Sequence, residues 1–518
     1  MFLIVVIIIS KIMQQCPTET IFMKNLGGIV MGENSTIQYN RAKTWQILLW
    51  PGNTSINSLM GILVMFSSYI AVGGYGLAVA TAGLIASYSR IFDGVTDPLI
   101  AVITDRMDTK FGKIRIIMLT GFIIQILSVL TLFVWGIGQG LVFYTIMTLI
   151  YYIGSTLSGI ATNTGNTVLT NDPEQRPKIY RWSLTYTTIL ASLLSFYNST
   201  ILFPKYGGIT TELLQELCIT FVVVSLVLQI IAFLAISEKD KPENFPKKAS
   251  GKRINYKDAW SLLRNNRALQ VLIISGSSDK LAQQAAGQAV ISTIIFGIII
   301  GHYEFYGMFK LMDVIPTLLV LFYVTHMAGK NGTKKSLIKW TIISMFTAVA
   351  MIIFMMTIDP KQISVATVPT VIFVILYVAF HATMIATAAC TQALKPDITD
   401  YEFYKTGNYM PGTVAAVYAF LDKAISSFAT TIVAVTIAAI GYVKVQPQPG
   451  DPSTPAVFWV GMFLWMGLPI IGYIISLIAL KWYPLDKEMM EEVQRNNQDY
   501  RQGPTLKLGS NTSKEISG

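Results

Sequence analysis

Long apolar runs recur along the whole chain, and this pattern restricts the fold more than any other feature of the sequence. A run of about 20 apolar residues is long enough to cross a bilayer as a helix. Only 13% of the 518 residues are charged, whereas 53% are hydrophobic. Water-soluble globular chains carry about twice that fraction of charged residues. The sequence therefore predicts an all-α polytopic membrane protein.

We place twelve predicted transmembrane helices on the sequence, and the charges between them indicate an orientation. The predicted spans are 47–72, 78–104, 113–135, 141–168, 180–203, 218–236, 268–300, 303–327, 336–357, 364–394, 408–441 and 456–482. Connections after even-numbered spans are rich in Lys and Arg, and those after odd-numbered spans are nearly free of them. Because positive loops stay in the cytoplasm, we expect a multi-pass protein of the plasma (inner) membrane with both termini cytoplasmic. The net charge of +10 then reflects topology, and no nucleic-acid partner is expected.

A long basic loop divides the predicted spans into two sets of six. Short basic turns containing glycine follow span 2 (residues 105–115) and span 8 (residues 327–335). Matching turns at matching places favour an internal repeat of two pseudo-symmetric halves. We therefore predict a disordered N-terminal extension (1–40), an N-terminal six-helix half (41–236), a cytoplasmic linker (237–267), a C-terminal six-helix half (268–485) and a cytoplasmic tail (486–518).

Three ionisable residues interrupt the apolar run of span 2. On a helix, Arg90, Asp93 and Asp97 fall within roughly 60° of one another. A charged side chain inside a membrane costs at least about 2.5–3.5 kcal/mol, so ionisable residues within a span usually have a functional role. Two carboxylates beside one guanidinium leave a net negative charge, which a proton or a small metal cation would neutralise. The pattern indicates a cation site; the alternative is a charge network that only holds the halves together.

Sequence signatures of enzymes are missing from the chain. It contains no nucleophile elbow of the Gly-x-Ser-x-Gly type, no phosphate-binding Gly-x4-Gly-Lys-Ser/Thr loop and no His-Glu-x-x-His. Three widely spaced cysteines, Cys16, Cys218 and Cys390, give neither a disulfide framework nor a metal cluster. We therefore expect a transporter driven by an ion gradient, with no cofactor and no enzymatic activity.

Three features together resemble one family. The pattern Asp-Pro-x6-Asp-Arg-x5-Gly-Lys-x-Arg occupies residues 97–115, a second stretch, Pro-Asp-Ile-Thr-Asp-Tyr-Glu-Phe-Tyr-Lys-Thr-Gly, occupies 396–407, and Lys423 lies in span 11. They resemble the glycoside–pentoside–hexuronide:cation symporters, the melibiose-permease family of the major facilitator superfamily. The resemblance covers most of residues 41–490. It implies the major facilitator fold, with two pseudo-symmetric six-helix halves that alternate in access.

The resemblance also assigns roles to residues in the membrane. Family members bind the coupling cation with two helix-2 aspartates and a helix-4 threonine, which match Asp93, Asp97 and Thr156. If the cation is Na⁺, the two aspartates are its expected metal ligands. Arg90 and Lys423 match basic residues close to this site, and we expect them to form a coupling charge network.

A cytoplasmic latch follows from the same resemblance. Asp105, Arg106 and Arg115 match the loop residues with which the superfamily closes its cytoplasmic side. We expect Asp105→Asn to slow transport while leaving substrate binding nearly intact.

The expected substrate site departs from the family pattern. Asn57 and Gly159 stand where family members carry sugar-binding aspartates, and Asn163 stands where an aromatic residue packs on the sugar. Polar residues also crowd span 7, and amides suit a polyhydroxylated ligand. A basic side chain, Lys280 or Arg181, would bind the carboxylate of a uronate. The predicted substrate residues are Asn57, Asn163, Arg181, Asp279, Lys280 and Gln283.

The sequence as a whole predicts a Na⁺- or H⁺-coupled symporter of a sugar, glycoside or uronide-containing oligosaccharide. Two alternatives remain open at this stage. One is a major facilitator transporter of a non-sugar cargo, such as an amphiphile or a drug, and the other is a non-transporting membrane sensor. The expected partners are a small sugar or glycoside and the lipid bilayer, and we expect a monomer.

Overall fold

The computed structural model describes residues 40–502 apart from 108, 110–111, 171, 173–174, 242–255 and 408–409. Every regular element within this part of the chain is a helix, and no strand occurs there. Helices satisfy their own backbone hydrogen bonds, which a hydrocarbon environment requires. The predicted extension 1–40 lies outside the described residues except for Asn40, as do residues 242–255 of the linker 237–267 and residues 503–518 of the tail.

Nine helices build the part of the chain that precedes the linker. They are α1 (Thr44–Leu49), α2 (Pro51–Val64), α3 (Ser67–Tyr75), α4 (Val79–Arg106), α5 (Ile114–Leu130), α6 (Gly140–Leu169), α7 (Arg176–Tyr197), α8 (Phe203–Tyr206) and α9 (Thr211–Ser237), as far as residues are described. Single π-helical turns, Thr131–Trp135 and Asn198–Leu202, continue α5 and α7.

The part of the chain that follows is also built of helices, which are divided into shorter segments more often. Its described helices are α10 (Tyr256–Asn265), α11 (Arg267–Ala286), α12 (Ala289–Ser292), α13 (Glu304–Met312), α14 (Val314–Asn331), α15 (Thr333–Thr357), α16 (Thr367–Thr406), α17 (Pro411–Ala439), α18 (Pro455–Met462), α19 (Leu468–Leu480) and α20 (Lys487–Gln502). Two π-helical stretches, Thr293–Ile299 and Phe463–Gly467, and a 3₁₀ turn, Pro360–Ser364, join neighbouring elements.

Helices occupy all twelve predicted spans, but fewer are apolar enough to be recognised as membrane spans. Among the described residues, nine helices pass by length and composition, and counting α11 with residues 289–299, bent by 54°, gives up to ten. The other two are α4, which carries Arg90, Asp93 and Asp97, and α7, which is rich in hydroxyl residues. The predicted number of twelve is therefore not reproduced by apolarity alone.

The two halves meet along two pairs of helices. Helix α4 packs along α17, and α7 packs against α13. In the numbering of the predicted spans, these pairs are 2 with 11 and 5 with 8. A two-fold axis that relates each span to the span six further on would convert the first pair into the second. The contacts therefore have the pattern of a repeated half.

A glycine lies at each of these inter-half contacts. A Cβ atom added to Gly83 of α4 would lie 2.4 Å from the Ala434 Cβ atom, and one added to Gly307 of α13 would lie 2.2 Å from the Ser199 Oγ atom. Small residues let membrane helices approach closely, so that backbone and hydroxyl groups can form bonds between them. The halves are therefore held at van der Waals contact at these two points.

Hydrogen bonds close one end of the interface between α4 and α17. The Ser87 hydroxyl donates to the Ser427 carbonyl at 2.6 Å, and its oxygen lies within 2.8 Å of the Thr430 and Thr431 hydroxyls. Further bonds run from the Val79 N–H to the Val443 carbonyl (3.0 Å) and from the Tyr69 hydroxyl to the Pro447 carbonyl (2.9 Å). We call residues 68–87 and 427–448 the sealed end.

Within the N-terminal half, α5 and α6 pack closely through Gly121 and Gly154, which gives a test of the fold. A Cβ atom on Gly154 would lie 2.8 Å from the Gln125 N atom, whereas one on Gly159, also in α6, would meet nothing within 4 Å. We expect Gly154→Leu to destabilise the protein by at least about 1–3 kcal/mol through overpacking, and Gly159→Leu to have little effect. Thermal unfolding of the purified protein measures both, and equal losses would contradict the packing.

Candidate functional site

Four side chains from three helices meet between the halves. Asp93 and Asp97 lie one turn apart on α4, opposite Thr156 of α6 and Lys423 of α17. The Lys423 ammonium donates to the Asp93 Oδ2 atom at 2.7 Å and to the Asp97 Oδ2 atom at 2.5 Å. The Thr156 hydroxyl oxygen lies 2.8 Å from the Asp93 Oδ1 atom and 2.9 Å from the Asp97 Oδ1 atom. The cluster thus links the two halves through opposite charges.

The hydrogen bonds in this cluster leave one position open for a proton or a cation. The Thr156 hydroxyl carries one proton, so it can donate to only one of its two carboxylate neighbours at a time. Two carboxylates and the single ammonium of Lys423 have a net charge of −1 when all are ionised. Since an uncompensated buried charge is costly, one proton or one monovalent cation completes the balance. Two carboxylates and a hydroxyl are oxygen ligands, which suit a small hard cation.

Arg90 makes a different contact from the one expected beside the aspartates. Its guanidinium donates to the Gln284 Oε1 atom of α11 at 2.8 Å. The positive charge that contacts Asp93 and Asp97 comes instead from Lys423, on a distant part of the chain. The net charge predicted for the cluster is unchanged, but its basic partner belongs to the opposite half.

A cavity of about 390 Å³ lies between the halves next to this cluster. Arg90, Asp93 and Lys423 form part of its wall, which α2, α4, α6, α11 and α17 all contribute to. Its other polar lining residues are Asn57, Ser58, Ser67, Ser68, Tyr151, Tyr152, Ser155, Gln284, Gln288, Thr430 and Gln446. A site of this composition can bind a polar ligand with amides, hydroxyls and aromatic rings at once.

Of the predicted substrate residues, the structure places only Asn57 on the cavity wall. Its side-chain carbonyl accepts a hydrogen bond from the Gln125 amide at 3.2 Å. Asn163 is exposed, and neither it nor Arg181 nor Gln283 belongs to the lining of this cavity. The glutamines of span 7 that do line it are the neighbouring Gln284 and Gln288.

Two further predicted substrate residues, Asp279 and Lys280, bond to other side chains of the C-terminal half. Asp279 is only 3% exposed, and its Oδ2 atom accepts a hydrogen bond from the Ser476 hydroxyl at 3.2 Å. Lys280 forms an ion pair with Asp422 of α17. Neither residue lines the cavity, so the expectation that they face the substrate is not supported by their positions.

Two tyrosines on the cavity wall, Tyr151 and Tyr152, were not among the predicted substrate residues. Tyr152 precedes Thr156 by four residues on α6, and Tyr151 and Ser155 lie beside them. Positions four apart on a helix share a face. The assignment of Thr156 to the cation site therefore also indicated that Tyr152 lies on the inward face of the helix. Asn163, two turns further along the helix, was predicted as a substrate residue from the family resemblance instead.

The predicted latch is only partly described. Asp105 and Arg106 form the last turn of α4, and their side chains lie outside the described residues. Arg115 donates from its Nε atom to the Oδ2 atom of Asp240, at 3.2 Å. The fully buried Asp240 carboxylate also accepts the N–H groups of Lys113, Ile114 and Arg115, at 2.9–3.1 Å. Asp240 therefore caps the positive N-terminus of α5, a role that the sequence did not indicate.

Long apolar helices arranged in two halves, with a cavity between them, are typical of an integral membrane transporter. The family described as "MFS/sugar transport protein" matches residues 53–487. The chain belongs to this family, which confirms the predicted resemblance and fold class. It is a secondary transporter and not an enzyme.

Individual relatives agree with this family. A putative glycoside/cation symporter of Escherichia coli (strain K12) is 22% identical over 458 residues, covering 86% of this chain and 92% of the relative. The isoprimeverose transporter of Lactiplantibacillus pentosus is 22% identical over 422 residues, covering 80% and 82%. The solved structure of the nucleoside transporter NupG has a TM-score of 0.56 at 11% identity, covering 86% of this chain and all of NupG, which shows a common fold.

Proposed function

We propose that this protein is a cation-coupled symporter that carries a sugar, a glycoside or a uronide by alternating access. The cluster of Asp93, Asp97, Thr156 and Lys423 carries the proposal, because two carboxylates, a hydroxyl and one ammonium meet on the boundary between the halves, and one bound cation would balance their charge. Two of these side chains, Asp93 and Lys423, also line the cavity in which a substrate would bind. Cation and substrate would therefore occupy adjoining sites at the surface where the halves move.

The cavity wall supports a sugar-like cargo. Amides and hydroxyls both donate and accept hydrogen bonds, as vicinal sugar hydroxyls do. The ring faces of Tyr151 and Tyr152 offer apolar surface for sugar C–H groups. The Arg90 guanidinium on the wall can bind a carboxylate with two parallel hydrogen bonds, which is why the proposal includes uronides. Relatives named as a glycoside/cation symporter, a glucuronide carrier homolog and an isoprimeverose transporter agree with this cargo class.

Competition for the carboxylates provides a route for coupling. A cation that binds Asp93 and Asp97 takes up negative charge that otherwise holds Lys423. This weakens an ionic link between α4 and α17, so that the free energy of cation binding biases the equilibrium between the open and closed arrangements of the halves. A substrate that binds best when the cation site is neutral would bind more tightly once the cation is present.

The orientation and the latch remain part of the proposal. Both termini and the basic linker 237–267 would lie in the cytoplasm, as the charge distribution favours. The sealed end would then face outward, and the turn that contains Asp105, Arg106 and Arg115 would face the cytoplasm. In this arrangement the described state would be closed to the outside.

Uptake by reconstituted proteoliposomes tests the proposed function. A panel of glycosides and uronides is offered with a Na⁺ gradient, with a pH gradient and with neither. We expect one substrate class to accumulate under one of the gradients. Accumulation of a non-sugar amphiphile instead, or no accumulation of any glycoside under either gradient, would contradict the proposed cargo.

Thr156→Val tests whether this cluster binds the coupling cation. Removing the hydroxyl costs about 1 kcal/mol of cation binding. We therefore expect half-maximal uptake to require a roughly fivefold higher cation concentration. Thr145→Val is the matched control, because the Thr145 hydroxyl lies on the same helix and donates to the Leu141 carbonyl of the preceding turn. An unchanged cation dependence in Thr156→Val would exclude the hydroxyl as a ligand.

A further inference from the structure

A second ionic cluster lies in the C-terminal half, away from the site described above. The Lys310 ammonium lies 3.0 Å from the His381 Nε2 atom, and the His381 Nδ1 atom lies 3.4 Å from the Asp313 Oδ2 atom. The Thr317 hydroxyl donates to the Asp313 Oδ1 atom at 2.8 Å. Lys310 lies in the last turn of α13, Asp313 joins α13 to α14, and His381 lies on α16. Span 8 and span 10 thus meet through charged groups.

The position of this cluster repeats that of the cation cluster in the N-terminal half. Gly112 and Gly332 precede spans 3 and 9, and both have positive φ angles, 94° and 88°. Counting back from these glycines by 22, 19 and 15 residues gives Arg90, Asp93 and Asp97 in span 2, and Lys310, Asp313 and Thr317 in span 8. The spacing is identical, and two of the three positions keep their charge.

The partner helices correspond as well. Thr156, which bonds to Asp93, lies on span 4, and His381, which faces Asp313, lies on span 10, six spans later. A two-fold repeat of six spans relates span 2 to 8 and span 4 to 10. Within the repeat, a carboxylate has become Thr317, and a hydroxyl on the neighbouring helix has become the imidazole of His381.

These replacements change the charge that the cluster can accept. With a neutral imidazole, Lys310 and Asp313 balance each other, so no net negative charge remains to attract a metal cation. The Lys310 ammonium can only donate, so the His381 Nε2 atom accepts and the Nδ1 atom carries the hydrogen that faces Asp313. Groups linked in this way gain or lose a proton as a unit.

Aromatic side chains enclose the imidazole. The ring of Tyr377 packs against His381 with centroids 5.2 Å apart and the ring planes tilted by 38°, and the Lys310 ammonium lies 6.0 Å above the ring of Tyr306. These two phenols are the other titratable groups recorded next to the cluster among the described residues. Asp313 is only 6% exposed. Protons can pass between hydrogen-bonded groups in such a setting, whereas the Lys310 ammonium would repel a metal ion.

We infer that Lys310, His381 and Asp313 form a proton-binding site, the counterpart in the C-terminal half of the cation site in the N-terminal half. One proton from water adds to the imidazole or to the carboxylate, and the cluster charge rises from zero to +1. Its release restores the neutral imidazole with its Nδ1–H group. The transporter would then respond to pH through this site even when another cation drives transport through Asp93 and Asp97. The inference does not depend on the cargo.

Nitrogen-15 NMR of histidine-labelled protein in nanodiscs tests this site without any transport assay. The chain has three histidines, and His381→Asn and His302→Asn assign their signals. We expect the His381 imidazole to be in the Nδ1–H form at neutral pH and its signal to respond when the pH is lowered below about 6.5, the pKa of a free histidine. An Nε2–H form, or no response to that acidification, would overturn the inference.

Asp313→Asn and Lys310→Gln test whether the three groups act as a unit. We expect each to shift the pH response of the His381 signal, whereas His302→Asn, at an exposed position, leaves it unchanged. A His381 signal insensitive to both changes would also overturn the inference. Because the signal is observed without substrate, failure of the sugar-uptake experiments leaves this test intact, and the two proposals can fail separately.

Discussion

Asp93→Asn is expected to abolish cation-driven accumulation while leaving equilibrium exchange of the substrate measurable. With asparagine in place, Asp97 and Lys423 already balance each other, so a bound cation would leave a net charge of +1. Losing one ionised ligand costs about 3 kcal/mol, roughly a hundredfold in cation affinity. Initial rates of uptake by proteoliposomes at several cation concentrations measure the change, and counterflow without a gradient measures exchange.

Asp359→Asn is the matched control for this experiment. Asp359 is exposed and caps a short 3₁₀ turn through the Lys361 N–H group, so the same chemical change there should leave cation dependence unaltered. Cation-driven accumulation at normal cation affinity in Asp93→Asn would contradict the role proposed for the carboxylate pair. Loss of exchange as well would indicate that the charge cluster holds the halves together and does not bind a coupling ion.

Gly83→Ala is expected to shift the protein toward an arrangement that is open at the sealed end. The added Cβ atom would lie 2.4 Å from the Ala434 Cβ atom and 2.9 Å from the Thr430 carbonyl oxygen, so α4 and α17 must separate. Overpacking of about 1–3 kcal/mol corresponds to a change of roughly 5- to 150-fold in the equilibrium between two arrangements. Uptake should fall because one arrangement then predominates.

Spin labels at two exposed positions near the sealed end measure this shift. Leu141 at the start of α6 and Val445 after α17 are 46% and 61% exposed, and they belong to different halves. We expect the distance between the labels to increase in Gly83→Ala. Gly94→Ala is the control, since its Cβ atom on the same helix would make ordinary contacts of 3.5 Å or more. An unchanged distance in Gly83→Ala would show that the contact does not control opening.

The sequence by itself determined the class of the protein and the centre of its candidate site. Apolar length and the cost of charge in a membrane are local properties, so the long helices and the exceptional span 2 could be recognised without tertiary contacts. The spacing of Asp93 and Asp97 placed both carboxylates on one helical face for the same reason. Thr156 and Lys423 were found through family resemblance, and the structure places both against the carboxylates.

Only the tertiary structure decided which charges meet. Arg90 lies on the same helix as the aspartates but bonds to Gln284, whereas Lys423 reaches them from 330 residues away in the chain. Lys280 was predicted to meet the substrate, yet its ammonium forms an ion pair with Asp422. Such pairings depend on how helices rotate and cross when small residues let them approach. A periodic pattern defines the face of a helix, but which partner that face meets is settled only by packing.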